Sequence, residues 1–223
     1  MMRFRGVLAC CSFILVTLLG AGAIADAERL QSALEVLTDM AGSQDRGIPN
    51  DLIQQARCLV IIPGVKKAAL GFGGQYGRGY MTCRRPEGQG WSAPAGVRVE
   101  GGSVGFQIGA SETDVILIVR NQPGVDRLLS SRFTVGVDAA VAAGPVGRRA
   151  SAETDATMRA EILAYSHSRG VFAGIALQGA TLRDDTDENQ QLYGSAASNR
   201  EIVTGNVAVP EDAKAFMAEV GKY

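Results

Sequence analysis

Histidine and tryptophan are almost absent: the 223-residue chain holds one of each, and aromatic residues make up only 6%. With His167 alone, and with no CxxC pair or Cys/His cluster, a zinc site has too few ligands at usable spacing. Few aromatics beside 28 glycines argue against a helical bundle and for a turn-rich β fold. An excess of charge of either sign is also missing. Lys and Arg (22) nearly balance Asp and Glu (23), so no overall basic field recruits nucleic acid. A composition that is 46% hydrophobic and 20% charged fits an ordinary globular chain, neither disordered nor fibrous.

Arg3 and Arg5, the apolar run Val7–Leu19 and the small-residue site Ala23-Ile24-Ala25 read as a secretory signal over residues 1–25, cleaved before Asp26. The run is short for a membrane span. A retained anchor, or lipidation at Val7-Leu8-Ala9-Cys10, is the alternative. Residues 26–223 are then expected as one exported domain in the periplasm or cell envelope. Of the four cysteines, Cys58 and Cys83 would remain, in a compartment that permits a disulfide. They flank a hairpin-like segment, and spacing alone leaves a bridge and two buried thiols both open.

The stretch Trp91–Asn121 carries the clearest pattern. Val97–Glu100 alternates apolar and charged residues, and Val104, Phe106 and Ile108 share one face at period two. Val115–Val119 is continuously apolar, as in a strand buried on both faces. Ser111–Asp114 reads as a polar turn between strands. Before it, Cys58–Ile62 is a β-run ended by Pro63-Gly64, followed by Ala68–Gly79 and Tyr80–Arg85. Small residues at Gly71, Gly73, Gly105, Gly109, Gly136 and Gly174 would let strands, or an acyl chain, approach closely. Asp26–Met40 has helical apolar spacing with an acidic polar face, and is expected to lie on the core. Short helices are expected within Ile48–Ala56, Asn121–Ser131, Ser198–Thr204 and Pro210–Val220. Phe133–Gly147 and a hairpin about Arg169-Gly170 supply further strands. Asp184–Glu188 reads as an acidic loop, with a helix starting at Asn189.

Three patterns could carry chemistry. Gly101-Gly102-Ser103-Val104-Gly105 is a literal GxSxG, and Ser103, an acid such as Asp126, Asp138 or Asp155, and His167 follow in esterase order. The motif needs a strand before the serine and a helix after it, whereas Val104–Ile108 reads as strand. The glycines around Phe72 miss the dinucleotide spacing, and no P-loop lysine follows. The third pattern is basic: Lys66, Lys67, Arg78, Arg84 and Arg85, with Arg98 beside them. Were the strands to pair, Lys66-Lys67 and Arg84-Arg85 would meet at one rim, where they could hold anionic headgroups or merely discourage edge pairing. Asp184–Glu188 lacks the glycine of a calcium loop.

Taken together and in this order, WSAP, GFQIGA, AAGPVGR and YSHSRGVFAGI resemble the SYLF-domain family. This lipid-binding family is also described as Las17-binding or yeast actin-regulator-like. The similar segments are 48–84, 91–119, 133–148, 164–183 and NQQLYG at 189–194. The resemblance implies a non-enzymatic, cofactor-free domain that binds membrane phospholipids, phosphoinositides in eukaryotic members. Those members are cytosolic, can carry SH3 or FYVE modules and may bundle actin. An export signal removes access to actin, so the partner expected here is an anionic envelope phospholipid. The implied fold is α+β: a glycine-rich, mostly antiparallel sheet, barrel- or sandwich-like, under short helices at both ends. In that light Lys66, Lys67, Arg78, Arg84 and Arg85 become headgroup candidates, with Phe72, Tyr76 and Trp91 as apolar membrane contacts. A GxSxG hydrolase and a structural envelope protein acting through a protein partner are the other classes to be distinguished.

Overall fold

A computed structural model describes residues 27–42, 47–86, 90–146, 159–168, 171–172, 177 and 179–223. At 69–72, 103–109 and 171–172 only the backbone is described. Helix α1 covers 27–42 and α2 covers Asn50–Gln54. Two long strands follow, β1 (Cys58–Cys83, 26 residues) and β2 (Ala95–Val119, 25 residues). Helix α3 (Gln122–Leu128) leads to β3 (Phe133–Thr134), β4 (Val141–Ala143), β5 (Ile162–Ser168), β6 (Val171–Phe172) and β7 (Thr181–Asp184). Helices α4 (Thr186–Tyr193), α5 (Asn199–Thr204) and α6 (Lys214–Val220) close the chain, α6 after a 3-10 turn at Glu211–Ala213. The architecture is the expected α+β one: a mostly antiparallel sheet with short helices at both ends.

Strand β2 is the spine. It pairs with β1 along nearly its whole length, with β7 at Val97–Glu100 and with β5 at Asp114–Val119, all antiparallel. Among the described strands only β4 runs parallel to its neighbour, β5. A straight strand of 26 residues would span roughly 85 Å. That far exceeds a 223-residue domain, whose radius of gyration is roughly 17 Å. The pair must curl. It does so at register shifts between Ile62 and Val65 and between Leu70 and Phe72.

Two expected chain breaks are therefore bends. Pro63-Gly64 does not end a strand; it sits in the first irregularity, where a missing N–H costs no ladder bond. Ser111–Asp114 is not a turn but strand, with Lys67 opposite Ser111 and Lys66 opposite Glu112. Its polar pattern reflects a stretch of β2 in which Ser111–Thr113, among the described residues, pair with β1 alone, before β5 joins at Asp114.

The curl brings the two ends of β1 together. A Cβ on Gly79 would stand 2.1 Å from the Ile61 carbonyl oxygen, and one on Gly77 would stand 3.0 Å from Val65. These glycines make the close approach, as Gly96 does under α4. Of the expected positions, Gly136 takes a turn at φ +77° and Gly73 lies in β1 opposite Ser103; Gly71, Gly105 and Gly109 are described by their backbone alone, and Gly174 lies outside the described residues.

Both faces of the sheet are buried, which is why Cys58–Ile62 and Val115–Val119 read as unbroken apolar runs. Leu59, Ile61, Ile116 and Ile118 pack under Leu30, Leu37 and Met40 of α1, Ile53 of α2, and Phe216 and Val220 of α6. Val60, Ile62 and Leu117 point the other way, meeting Val97, Val99, Leu182, Val125 and Ile202 inside the curl. The apolar stripe of α1 thus covers core, as its spacing implies.

Candidate functional site: an arginine cleft beside a disulfide

Where the ends of β1 meet, Cys58 and Cys83 are joined by a disulfide. Arg57 immediately precedes the bridge, and Arg84 and Arg85 immediately follow it. The Arg84 N–H donates to the Arg57 carbonyl at 2.7 Å, so all three arginines lie at one corner. They line a cleft of about 330 Å³ with the two sulfur-bearing residues, Gln122, Val125 and Leu129 of the α3 region, and Val203 of α5.

Each arginine is held differently. The Arg84 guanidinium lies 4.2 Å from the centre of the Trp91 ring, and its Nη2 donates to the Gln54 carbonyl (3.0 Å) and to a main-chain oxygen of Tyr223, the last residue (2.8 Å). Arg85 donates through Nη1 to Asn206 Oδ1 (3.3 Å) and through Nη2 to the Val207 carbonyl (3.2 Å). Its Nε is buried with no acceptor. Arg57 is exposed. Among the described residues none of the three pairs with an Asp or Glu side chain, and the cleft lining contains neither. Burial pushes the Arg84 guanidinium below its ordinary value. Two cations fixed by main-chain oxygens, an amide and a ring, with exposed Arg57 and apolar walls beside them, form a place that an oxyanion would stabilise.

The other basic candidates are not there. Lys66 and Lys67 are exposed on the ribbon of β1 and β2. Lys66 lines a separate cleft of about 560 Å³ with Tyr76 and five carboxylates: Glu28, Glu35 and Asp39 of α1, and Glu112 and Asp114 of β2. Arg78 also opens onto that cleft, yet it is committed inward. Its guanidinium forks onto Asp185, Nη2 to Oδ1 at 2.7 Å, and lies 3.4 Å from Glu188. The Asp185 bond raises the proton affinity of Arg78. Burial alone would push Asp185 up; Arg78 outweighs it and holds the carboxyl below the usual range. Glu188 also accepts from Arg29 and from the Tyr80 hydroxyl. The five basic candidates therefore do not form one rim.

Trp91 does not present a membrane contact. It is 8% exposed, stacked beneath Arg84 and packed with Leu59 and Ile116. Tyr76 is 50% exposed but faces the acidic cleft. The Phe72 side chain lies outside the described ones. Arg57 is the functional candidate that sequence reading missed; pairing Cys58 with Cys83 would have placed it beside Arg84.

The serine motif lacks its elbow, because β2 runs as strand through Ser103 on both sides, with no helix after it. Asp155 lies outside the described residues, and His167 pairs across the sheet with Asp114 rather than with Ser103. Among the described residues no three of His, Cys, Asp and Glu gather where a metal ion could be held. No described helix is long and apolar enough to cross a membrane.

The fold is thus a glycine-rich curled sheet under terminal helices, with an arginine corner at the disulfide. Residues 100–223 match the Ysc84 family, described as Las17-binding protein actin regulator, and the chain belongs to that family. It is 36% identical over 166 residues to an SH3 domain-containing protein of Schizosaccharomyces pombe, covering 73% of this chain and 38% of that one. LAS seventeen-binding protein 3 of Saccharomyces cerevisiae is 32% identical over 169 residues, 74% of this chain and 36% of its own length. SH3 domain-containing YSC84-like protein 1 of Rattus norvegicus is 29% identical over 192 residues, 85% and 56% respectively. The chain thus spans between about a third and just over half of these relatives.

Proposed function

We propose that this domain is a non-enzymatic module that binds anionic phospholipid surfaces peripherally, with Arg57, Arg84 and Arg85 as its headgroup contacts. One observation carries the reading: three arginines converge on one cleft and none has an Asp or Glu side-chain partner among the described residues. Paired cations, such as Arg78 and Arg29, have already spent their attraction inside the fold. These three keep theirs for a ligand. Val125, Leu129 and Val203 give the cleft an apolar side on which a glycerol backbone can rest. Export and an envelope location belong to the same proposal, as does the bacterial-type setting in which actin plays no part.

The test is co-sedimentation of residues 26–223 with vesicles of phosphatidylcholine containing increasing phosphatidylglycerol. Binding should rise with anionic content and fall with salt, because the contacts are partly exposed and screened at the ~10 Å Debye length of 0.1 M salt. Binding that ignores both would remove the proposal. The names of the yeast relatives favour a second reading, in which a protein partner is bound. Capture of such a partner by a domain that never sediments with vesicles would establish it.

A further inference from the structure

The bridge lies in the cleft, between the arginines, and this position bears on its chemistry. Buried structural disulfides are inert because their surroundings are apolar and closed; reactive cysteines sit in electropositive sites that a small molecule can reach. Here both cysteines line a cleft of about 330 Å³ whose only described charges are Arg57, Arg84 and Arg85. Cys83 is the more accessible, at 5% exposure against 0% for Cys58. Asp126, one turn from the lining residue Gln122, is held by the Gln122 amide at 2.9 Å on the exposed side of α3.

We propose that the Cys58–Cys83 bridge is a thiol–disulfide exchange site whose redox state sets the geometry of the arginine cleft. Its effect on lipid rests on the reading above; the exchange itself does not. A small dithiol supplies two electrons and two protons. Its thiolate attacks Cys83 Sγ, the S–S bond breaks, and the electron pair leaves on Cys58 Sγ. The second thiol of the reductant then resolves the mixed disulfide and departs as a cyclic disulfide. The neighbouring guanidinium groups stabilise each thiolate, both as leaving group and as the nucleophile for re-closure. Reduction removes the covalent tie between the two ends of β1, which keep the Arg57–Arg84 backbone bond and the packing of Gly79 on Ile61. Arg84 then has freedom to move off Trp91.

Trp91 is the sole tryptophan, so its emission reports that movement without any lipid present. The oxidised domain is treated with dithiothreitol under native conditions while alkylation by iodoacetamide, Trp91 fluorescence and far-ultraviolet circular dichroism are followed. Alkylation at both cysteines with the β signal intact, a shifted Trp91 emission, and thiols titrating below ~7.5 rather than near ~8.5 are expected. An Arg57→Gln/Arg85→Gln variant, whose bridge is unaltered, should slow exchange and move the thiol titration back upward. Alkylation that begins only as the β signal is lost, or thiols near ~8.5, would overturn the exchange site. Native alkylation with unchanged Trp91 emission would overturn the control of the cleft. Vesicle binding is measured on both forms: a roughly tenfold weaker reduced form extends the result to lipid. Absence of binding by either form, with exchange and emission as expected, would sink the lipid reading alone.

Discussion

Gly79 shows how one residue can decide whether the sheet curls. Any side chain there meets the Ile61 carbonyl and the Ile62 Cα, both backbone, so the neighbours cannot swing aside. Gly79→Ala should therefore destabilise the fold by about 1–3 kcal/mol or more, the range for overpacking, read as a lowered urea midpoint. Gly74→Ala meets only the Gly101 carbonyl, at 3.9 Å, and serves as the control. Asp185 supports a second test at this scale. Its carboxyl is held low by Arg78, and a group depressed on folding contributes stability above its unfolded value, near ~3.9, that is lost as pH falls through the folded one. Acidification below about pH 4 should cost the wild type more stability than it costs Asp185→Asn. The variant itself should lose about 3–5 kcal/mol at neutral pH, because the Arg78 guanidinium loses its forked carboxylate. Equal acid sensitivity of the two proteins would contradict the pairing.

Among the elements, α4 and α5 mark the boundary of what sequence makes legible. The alternation at Val97–Glu100 and the apolar runs Cys58–Ile62 and Val115–Val119 identify strands because burial repeats at the strand period. Helix α1 is legible for the same reason at the helical period. Asp184–Glu188 misleads, since acidic residues in a row suggest a solvated loop. Asp185 and Glu188 are buried, with Asp185 capping α4 and Glu188 lying over Gly96. Their partners Arg78, Arg29 and Tyr80 are distant in sequence, and local composition carries no trace of them. Similarly, Pro63 and Ser111–Asp114 resemble breaks because a bent two-stranded ribbon and a chain reversal share the same local chemistry. Ser198 is readable in both respects: its hydroxyl and Glu201 form a capping box at α5. Ser198→Ala should cost about 1 kcal/mol in thermal or urea unfolding. Because α5 carries Val203 into the cleft wall, vesicle affinity is expected to fall alongside stability.

At the level of the whole molecule, charge is distributed rather than absent. A nearly neutral sequence folds so that an acidic cleft lies between α1 and the ribbon, a cationic cleft lies at the disulfide, and a further arginine-lined cleft lies at Arg120 and Arg159. The basic residues were visible in sequence, but which of them remain unneutralised depends on long-range pairing. That sorting separates Lys66 and Arg78 from Arg84 and Arg85, and adds Arg57. The most direct measurement compares Arg57→Gln/Arg85→Gln with Lys66→Gln/Lys67→Gln in one vesicle titration at fixed anionic content. Each variant removes two positive charges, so overall electrostatics are matched. Loss of binding in the arginine variant, with the lysine variant close to wild type, is the expected result. Equal losses, or a larger loss in the lysine variant, would contradict the assignment of the cleft.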